Sequence, residues 1–239
     1  MTPSDHSTSI STRIAILSNV TPLVTEQVAI PGTDVQLDVT RPADIDALLD
    51  SVADDPEQNL PYWAEIWPSG IALATTILQS PELVQRRQVI ELGCGIGITA
   101  AAAMMADADL TVTDYSALSL VLTELTCLQA NVPLPVTRQV NWRDSRAHIL
   151  QDSGEKWPVI LAGDVLYEER DIEPVLIALD KMLTPDGVVL LAEPGRRPAS
   201  EAVRRAASIG WKIETSQHRG PWPDPKDADV VVSVHIMKR

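Results

Sequence analysis

Cysteine is nearly absent from this chain of 239 residues: Cys94 and Cys127 are the only two, and they suggest no disulfide framework. Such scarcity fits a reducing, cytoplasmic setting. Four scattered histidines (His6, His148, His218 and His235), with neither a CxxC nor an HExxH pattern, argue against a zinc site, so no metal is expected. No apolar run approaches the roughly 18 residues that a membrane crossing needs, and no membrane partner is expected. Residues 1–11 are polar and lack the basic start and apolar stretch of a signal peptide; they read as a disordered tail. Internal repeats and long low-complexity runs are missing as well. Basic residues are in short supply, 19 against 33 acidic ones, for a net charge of −14. That surface repels phosphate backbones, which disfavours nucleic acid. It attracts cationic partners such as a lysine-bearing protein, or it serves solubility alone.

An apolar fraction of 45% and a mean hydropathy of +0.02 supply an ordinary globular core. The length suits one α/β domain of roughly 200 residues with a modest extension. We divide it into an N-terminal tail and β/α extension, 1–58, and a main domain, 59–239. Residues 21–39 read as two short strands around Ile30-Pro31-Gly32-Thr33. A short helix is expected over 44–55 and an aromatic-rich loop over 59–68. Ser69 is expected to cap a helix that ends near Leu78.

From residue 88 strands and helices alternate, as in a doubly wound parallel sheet. Strands are expected at 88–92, 110–113, 136–140, 158–162, 188–192, 211–215 and 230–237. Helices are expected at 98–105, 117–130, 172–183 and 199–209. No helix fits within 216–229, which holds three prolines and three aspartates, so the last two strands should form an antiparallel hairpin. The result is an α/β, Rossmann-like seven-stranded sheet of the class I methyltransferase type, with its last strand antiparallel and a short N-terminal β extension.

The segment Glu91-Leu92-Gly93-Cys94-Gly95-Ile96-Gly97 joins an apolar strand to a helix. Gly93 and Gly95 allow a tight turn and close approach of backbone N–H groups to a ligand. A dinucleotide fingerprint needs its third glycine at position 98, which is Ile98, so a nicotinamide cofactor is disfavoured. Glu91 would face the cationic amino group of S-adenosylmethionine (SAM) and would repel a pyrophosphate. Cys94 is a small residue within this cofactor loop, not a nucleophile. Asp114, 23 residues after Glu91 at the end of the next strand, suits a carboxylate accepting both ribose hydroxyls, or else a helix cap. Gly93 and Asp164, at the carboxyl ends of neighbouring strands, should flank one crevice where the strand order reverses.

Several segments together resemble a known family. They are Pro61-Tyr62-Trp63-Ala64-Glu65-Ile66-Trp67-Pro68-Ser69-Gly70, the glycine loop, Asn141-Trp142, and Gly163-Asp164-Val165-Leu166-Tyr167. They are similar to the methyltransferase-like protein lysine methyltransferases, methyltransferase family 16. Glu193-Pro194-Gly195-Arg196 narrows the likeness toward the branch containing the electron-transfer-flavoprotein β-subunit lysine methyltransferases. The chain departs from that branch at Asp114-Tyr115-Ser116, where an aspartate-proline continuation is common. The resemblance implies that Trp67 and Trp142 pack around SAM, Trp142 near the adenine, and that Gly163 contributes backbone there. It implies that Asp164 and Tyr167 orient the acceptor amine of a protein lysine.

The chemistry agrees with these roles. Methyl transfer is an in-line displacement that asks mainly for alignment and a neutral amine. A free lysine, with a pKa of about 10.4, arrives protonated. Asp164 can hold that ammonium, and the ring of Tyr167 can favour it, although a close carboxylate also opposes its deprotonation. Tyr167 could equally pack at a strand end, while Arg196 and Arg197 either touch substrate or are solvated charges. Trp63, Trp157 and Trp211 read as packing residues. The N-terminal segment, the turn after 188–192 and residues 220–229 should recognise the substrate. Two other readings stay open, a small-molecule N- or O-methyltransferase and a SAM-binding module without catalysis. A base methyltransferase is disfavoured because the segment after 158–162 lacks the two prolines of an N/D-P-P-Y/F motif.

Overall fold

A parallel strand buried on both faces needs an almost unbroken apolar run, and three such runs lie near residues 90, 160 and 190. The computed structural model describes residues 3–45, 48–49, 60–142 and 154–239. Helix α1 (Pro3–Ser18) overturns the expectation of a disordered tail. Leu17 is buried and Arg13 pairs with Glu124 at 3.1 Å, so contacts with a distant helix supply the stability that the polar sequence lacks. Strands β1 (Leu23–Ala29) and β2 (Gln36–Pro42) form the expected antiparallel hairpin. Val28, Ile30, Leu37 and Val39 enter the same core as the helices that follow. Most of the helix expected over 44–55 lies outside the described residues.

Tyr62–Ala64 form one 3-10 turn, and α2 (Pro68–Gln79) follows. Its N-cap is Trp67 and not Ser69: Pro68, with its fixed φ and missing N–H, takes the first helical position. Ser69 is thereby drawn inside, where its hydroxyl is buried without a hydrogen-bond partner.

The α/β alternation then runs β3 (Gln88–Leu92), α3 (Ile98–Met105), β4 (Asp109–Asp114), α4 (Ala117–Gln129), β5 (Val136–Gln139), β6 (Trp157–Gly163), α5 (Ile172–Met182), β7 (Leu183–Glu193), α6 (Arg197–Ser208), β8 (Lys212–Arg219) and β9 (Val231–Lys238). The strands order as β5-β4-β3-β6-β7-β9-β8. All pair in parallel except β9, which is antiparallel to both neighbours. Strand β8 continues to Arg219, beyond its expected end. Its side chains are largely exposed, and main-chain pairing with β9 extends it without any apolar signal.

Period-two alternation divides the core. Val89, Leu161 and Leu190 face α2, α3 and α4, whereas Ile90, Ile160 and Leu191 face α5 and α6. The strand order reverses between β3 and β6, and the crevice outside their carboxyl ends is the natural ligand position. No helix among the described residues is long and apolar enough to cross a membrane.

Candidate active site

The turn between β3 and α3 is built to present bare backbone. Gly93 adopts φ +67°, and a Cβ there would come within 3.0 Å of Val165 and 3.3 Å of the Trp142 ring. Gly97 adopts φ +84°, and a Cβ would lie 2.6 Å from the Thr123 Cα, so α4 can approach only a glycine. Helix α4 also anchors the loop through a line of hydroxyls. Ser119 and Thr123 donate to the Gly95 carbonyl at 2.8 and 3.2 Å, and Thr126 donates to that of Ile96 at 2.7 Å. No motif marks this stripe in the sequence. Its signal was three small hydroxyl residues spaced four and three apart on one helix face.

A cavity of about 530 Å³ opens above the turn. Gly93, Gly95, Asp114 and Trp142 line one part, and Trp67, Gly163, Asp164 and Tyr167 also line it. Glu91 and Cys94 do not reach its wall. Cys94 is buried with its Sγ 3.6 Å from the Ser119 Oγ. Glu91 is buried with Oε2 unpaired, and burial, reinforced by the nearby Asp114 carboxylate, pushes its carboxyl well above the usual range. Asp114 is also pushed up by burial, against the pull of its hydrogen bonds. It accepts from the backbone N–H of Gly95 at 3.1 Å and of Ser116 at 3.0 Å. Asp114 also lines the cavity, where its carboxylate can accept from a diol such as a ribose edge.

At the end of β6 the backbone turns sharply, with Asp164 at φ +55° and its N–H donating to the Ala192 carbonyl at 2.9 Å. Aspartate is among the few residues that tolerate this region. Its carboxylate accepts from Arg196 Nε at 3.1 Å and from a second guanidinium nitrogen at 3.3 Å. That guanidinium lies over the Trp67 ring, 5.3 Å from its centroid. Tyr62 meets Trp67 and Tyr167 edge-on at 6.0 and 5.4 Å, and its carbonyl accepts from the Trp67 Nε1 at 2.7 Å. Burial raises the Asp164 carboxyl, although Arg196 pulls it down. The turn carrying Arg196 is pinned from below by buried Glu193, which accepts from the Gly195 N–H at 2.6 Å and lies 3.3 Å from His235 Nε2.

Several wall residues went unassigned in the sequence. Tyr62 stood only within the motif, and Trp63, read as a packing residue, both packs on the core and lines the cavity. Tyr115 donates to the Leu60 carbonyl at 2.7 Å and ties the end of β4 to the aromatic loop. Trp157 and Trp211 are buried in the core. The sequence allows Arg196 either substrate contact or solvation, and the structure pairs it with Asp164. No group of three or more His, Cys, Asp or Glu side chains among the described residues could hold a metal ion.

Comparison with known proteins fits this geometry. The chain is 33% identical over 139 residues to the electron transfer flavoprotein beta subunit lysine methyltransferase of Danio rerio, covering 57% of this chain and 51% of that protein. With the Homo sapiens protein it shares 33% identity over the same length, covering 50% of the relative. The match thus spans about half the length of these curated relatives. Among solved structures, magnesium protoporphyrin IX methyltransferase from Synechocystis, with bound SAM, superposes with a TM-score of 0.55 at 12% identity, over 80% of this chain and 95% of that one. Ribosomal protein L11 methylase from Lactobacillus delbrueckii gives 0.52 at 20% identity, over 70% and 77%. These two likenesses establish the fold. A family model described as lysine methyltransferase matches residues 56–204, more than half of the chain, and the protein belongs to that family.

Proposed function

We propose that this protein is a SAM-dependent methyltransferase that methylates a lysine side chain of a protein substrate. The observation that carries this reading is a single cavity with two different carboxylates in its wall. Asp114 stands beside a bare glycine loop and suits a nucleoside, while Asp164, with Trp67 and Tyr62 nearby, already holds a cation. A site made for a neutral hydroxyl acceptor has no use for that second arrangement.

The residues fit SAM. Asp114 faces the cavity as an acceptor for the ribose hydroxyls, Gly93 and Gly95 line it on the side of the methionine part, and the Trp142 ring beside Gly93 offers a face for an adenine. Glu91, off the cavity wall and pushed toward its neutral form by burial, backs the glycine loop and does not supply charge to the ligand's amino group, and Cys94 keeps the loop small. When bound, SAM supplies a methyl group on a sulfonium sulfur, which an amine takes up by in-line displacement, leaving the thioether and a proton. Asp164 receives the lysine as ammonium and, once one proton has left to water, holds the neutral nitrogen in line. Gly163 contributes backbone beside the cofactor, and Trp67, Tyr62 and Tyr167 wall the acceptor channel and exclude water.

The extension, residues 1–58, belongs in this reading to substrate recognition along with the turn after β7 and residues 220–229. Leu49 lines the cavity, and Lys226 Nζ sits 3.3 Å from Glu65 in the aromatic loop. The two buried free thiols suit the cytoplasm, where we propose that the protein works.

The test is transfer of labelled methyl from SAM into a whole-cell protein extract, with wild type beside Asp164→Ala. Discrete labelled proteins that disappear with the variant, while SAM still binds to it, are expected. Label confined to the small-molecule fraction would replace the lysine with a metabolite acceptor. SAM binding without transfer to either fraction would reduce the protein to a binding module.

A further inference from the structure

The Asp164 carboxylate is engaged by a residue of the chain itself. Arg196 contacts both of its oxygens, at 3.1 and 3.3 Å, and rests on the Trp67 face. The pair is unequal: the Asp164 side chain is 7% exposed and that of Arg196 is 37% exposed. The carboxylate is therefore fixed and covered, and the guanidinium is the partner that can leave. The Arg196 backbone is held through Gly195 by Glu193, so the part free to swing is the long side chain. Arg196 precedes the first residue of α6 in an extended conformation (φ −67°, ψ 144°) and follows Gly195, at φ +84°, with no heavy atom near its Cβ position.

A second cavity, of about 280 Å³, lies next to the first. Trp67, Asp164 and Arg196 line both, and the second is completed by Pro194, Asp227 and Val230 among others. Asp227 and Arg196 interact electrostatically across it, which offers the guanidinium another partner once displaced.

We propose that Arg196 is a gate: a cation built into the chain that occupies the acceptor carboxylate Asp164 and divides the two cavities until a substrate ammonium displaces it. The inference rests on the lysine-acceptor reading and adds how that acceptor is selected. In the resting protein the guanidinium spares a buried carboxylate from standing unpaired, a costly state. Exchange of one cation for another keeps the site neutral throughout. A neutral hydroxyl acceptor cannot make that exchange, so the gate selects for amines that arrive charged. Moving Arg196 aside joins the second cavity to the first and opens a path to Asp164 past Pro194 and Asp227.

The probe is n-butylammonium, a lysine side chain without its backbone, titrated calorimetrically into the full chain saturated with S-adenosylhomocysteine. Arg196→Gln should bind it about tenfold more tightly than wild type, the order expected when a charged hydrogen bond no longer competes. Arg196→Lys should return toward the weak binding of wild type, and Asp164→Asn in the Gln background should abolish the gain. S-adenosylhomocysteine affinity, unchanged in all three, verifies the fold and the cofactor pocket. Equal or weaker n-butylammonium binding by Arg196→Gln, or no binding by any form, overturns the gate. Methyl transfer into protein extract separates the two readings. Labelled protein with equal cation affinities removes the gate alone; tighter binding by Arg196→Gln without labelled protein keeps the cation switch and removes the lysine substrate.

Discussion

Alanine at Gly97 and alanine at Gly95 should damage the protein in different ways, although the two residues share one loop. At Gly97 the backbone is left-handed, φ +84°, which costs an L-residue about 1–2 kcal/mol. Its new Cβ would stand 2.6 Å from the Thr123 Cα, a backbone atom that no rotamer change can move, and overpacking of that kind adds about 1–3 kcal/mol. Together the loss is about 2–5 kcal/mol, or a fall in Tm of roughly 5–20 °C for a chain of this size. At Gly95 the φ of +54° carries a similar strain, but the nearest atom is the Trp63 carbonyl oxygen at 3.5 Å, an ordinary contact. Gly95→Ala should therefore lose only about 1–2 kcal/mol, a Tm fall of roughly 2–8 °C. Its methyl stands instead on a residue lining the cavity, so the larger effect should be on SAM affinity. Scanning calorimetry of the ligand-free variants and titration calorimetry with SAM read both quantities. A Gly97→Ala protein that melts within about 2 °C of wild type, or above Gly95→Ala, would refute the close-packing account of the loop.

Other perturbations separate the remaining roles. Asp114→Ala removes a buried charged acceptor worth about 1.5–3 kcal/mol and should weaken SAM about tenfold or more; unchanged affinity in calorimetry removes Asp114 from the ribose position. Glu91→Gln tests the buried carboxyl through pH. Because burial, then Asp114, raises its folded pKa, the native state holds more protons than the unfolded chain above about pH 4.3, and stability falls as pH rises through that window. The ligand-free Gln variant should melt above wild type at pH 8, with the gap closing toward pH 4; a gap that is constant across the range defeats the assignment. Thr126→Ala strips the Ile96 carbonyl of its side-chain donor and should cost about 1–3 kcal/mol, read as a Tm fall of roughly 2–10 °C; an unchanged Tm makes that bond dispensable.

Much of this fold is written locally. Strands β3, β6 and β7 must be apolar because helices cover both of their faces, and each such run announces itself within a few residues. The hairpin of β8 and β9 follows from a proline-rich connection that admits no helix, and the turn at Gly93–Gly97 follows from the glycines themselves. The reach of β8 to Arg219 was not legible, because a polar edge strand carries no period and exists through its partner. Helix α1 escaped for the same reason: Leu17 and the Arg13–Glu124 pair engage elements far along the chain.

The site divides along the same line. Glycines, strand-end carboxylates and the tryptophans of the aromatic loop are types whose chemistry is visible wherever they stand, and most of them meet in one cavity. What they do to one another is a matter of distance. Asp164 and Arg196 are 32 residues apart, and the hydroxyls of α4 lie 24 to 30 residues from the carbonyls they hold. The sequence by itself determined which groups were available and at which end of the sheet they would stand. Tertiary structure decided that Asp164, which we propose receives the acceptor, already carries a cation, because strand order and helix packing set such pairings and no short segment encodes them.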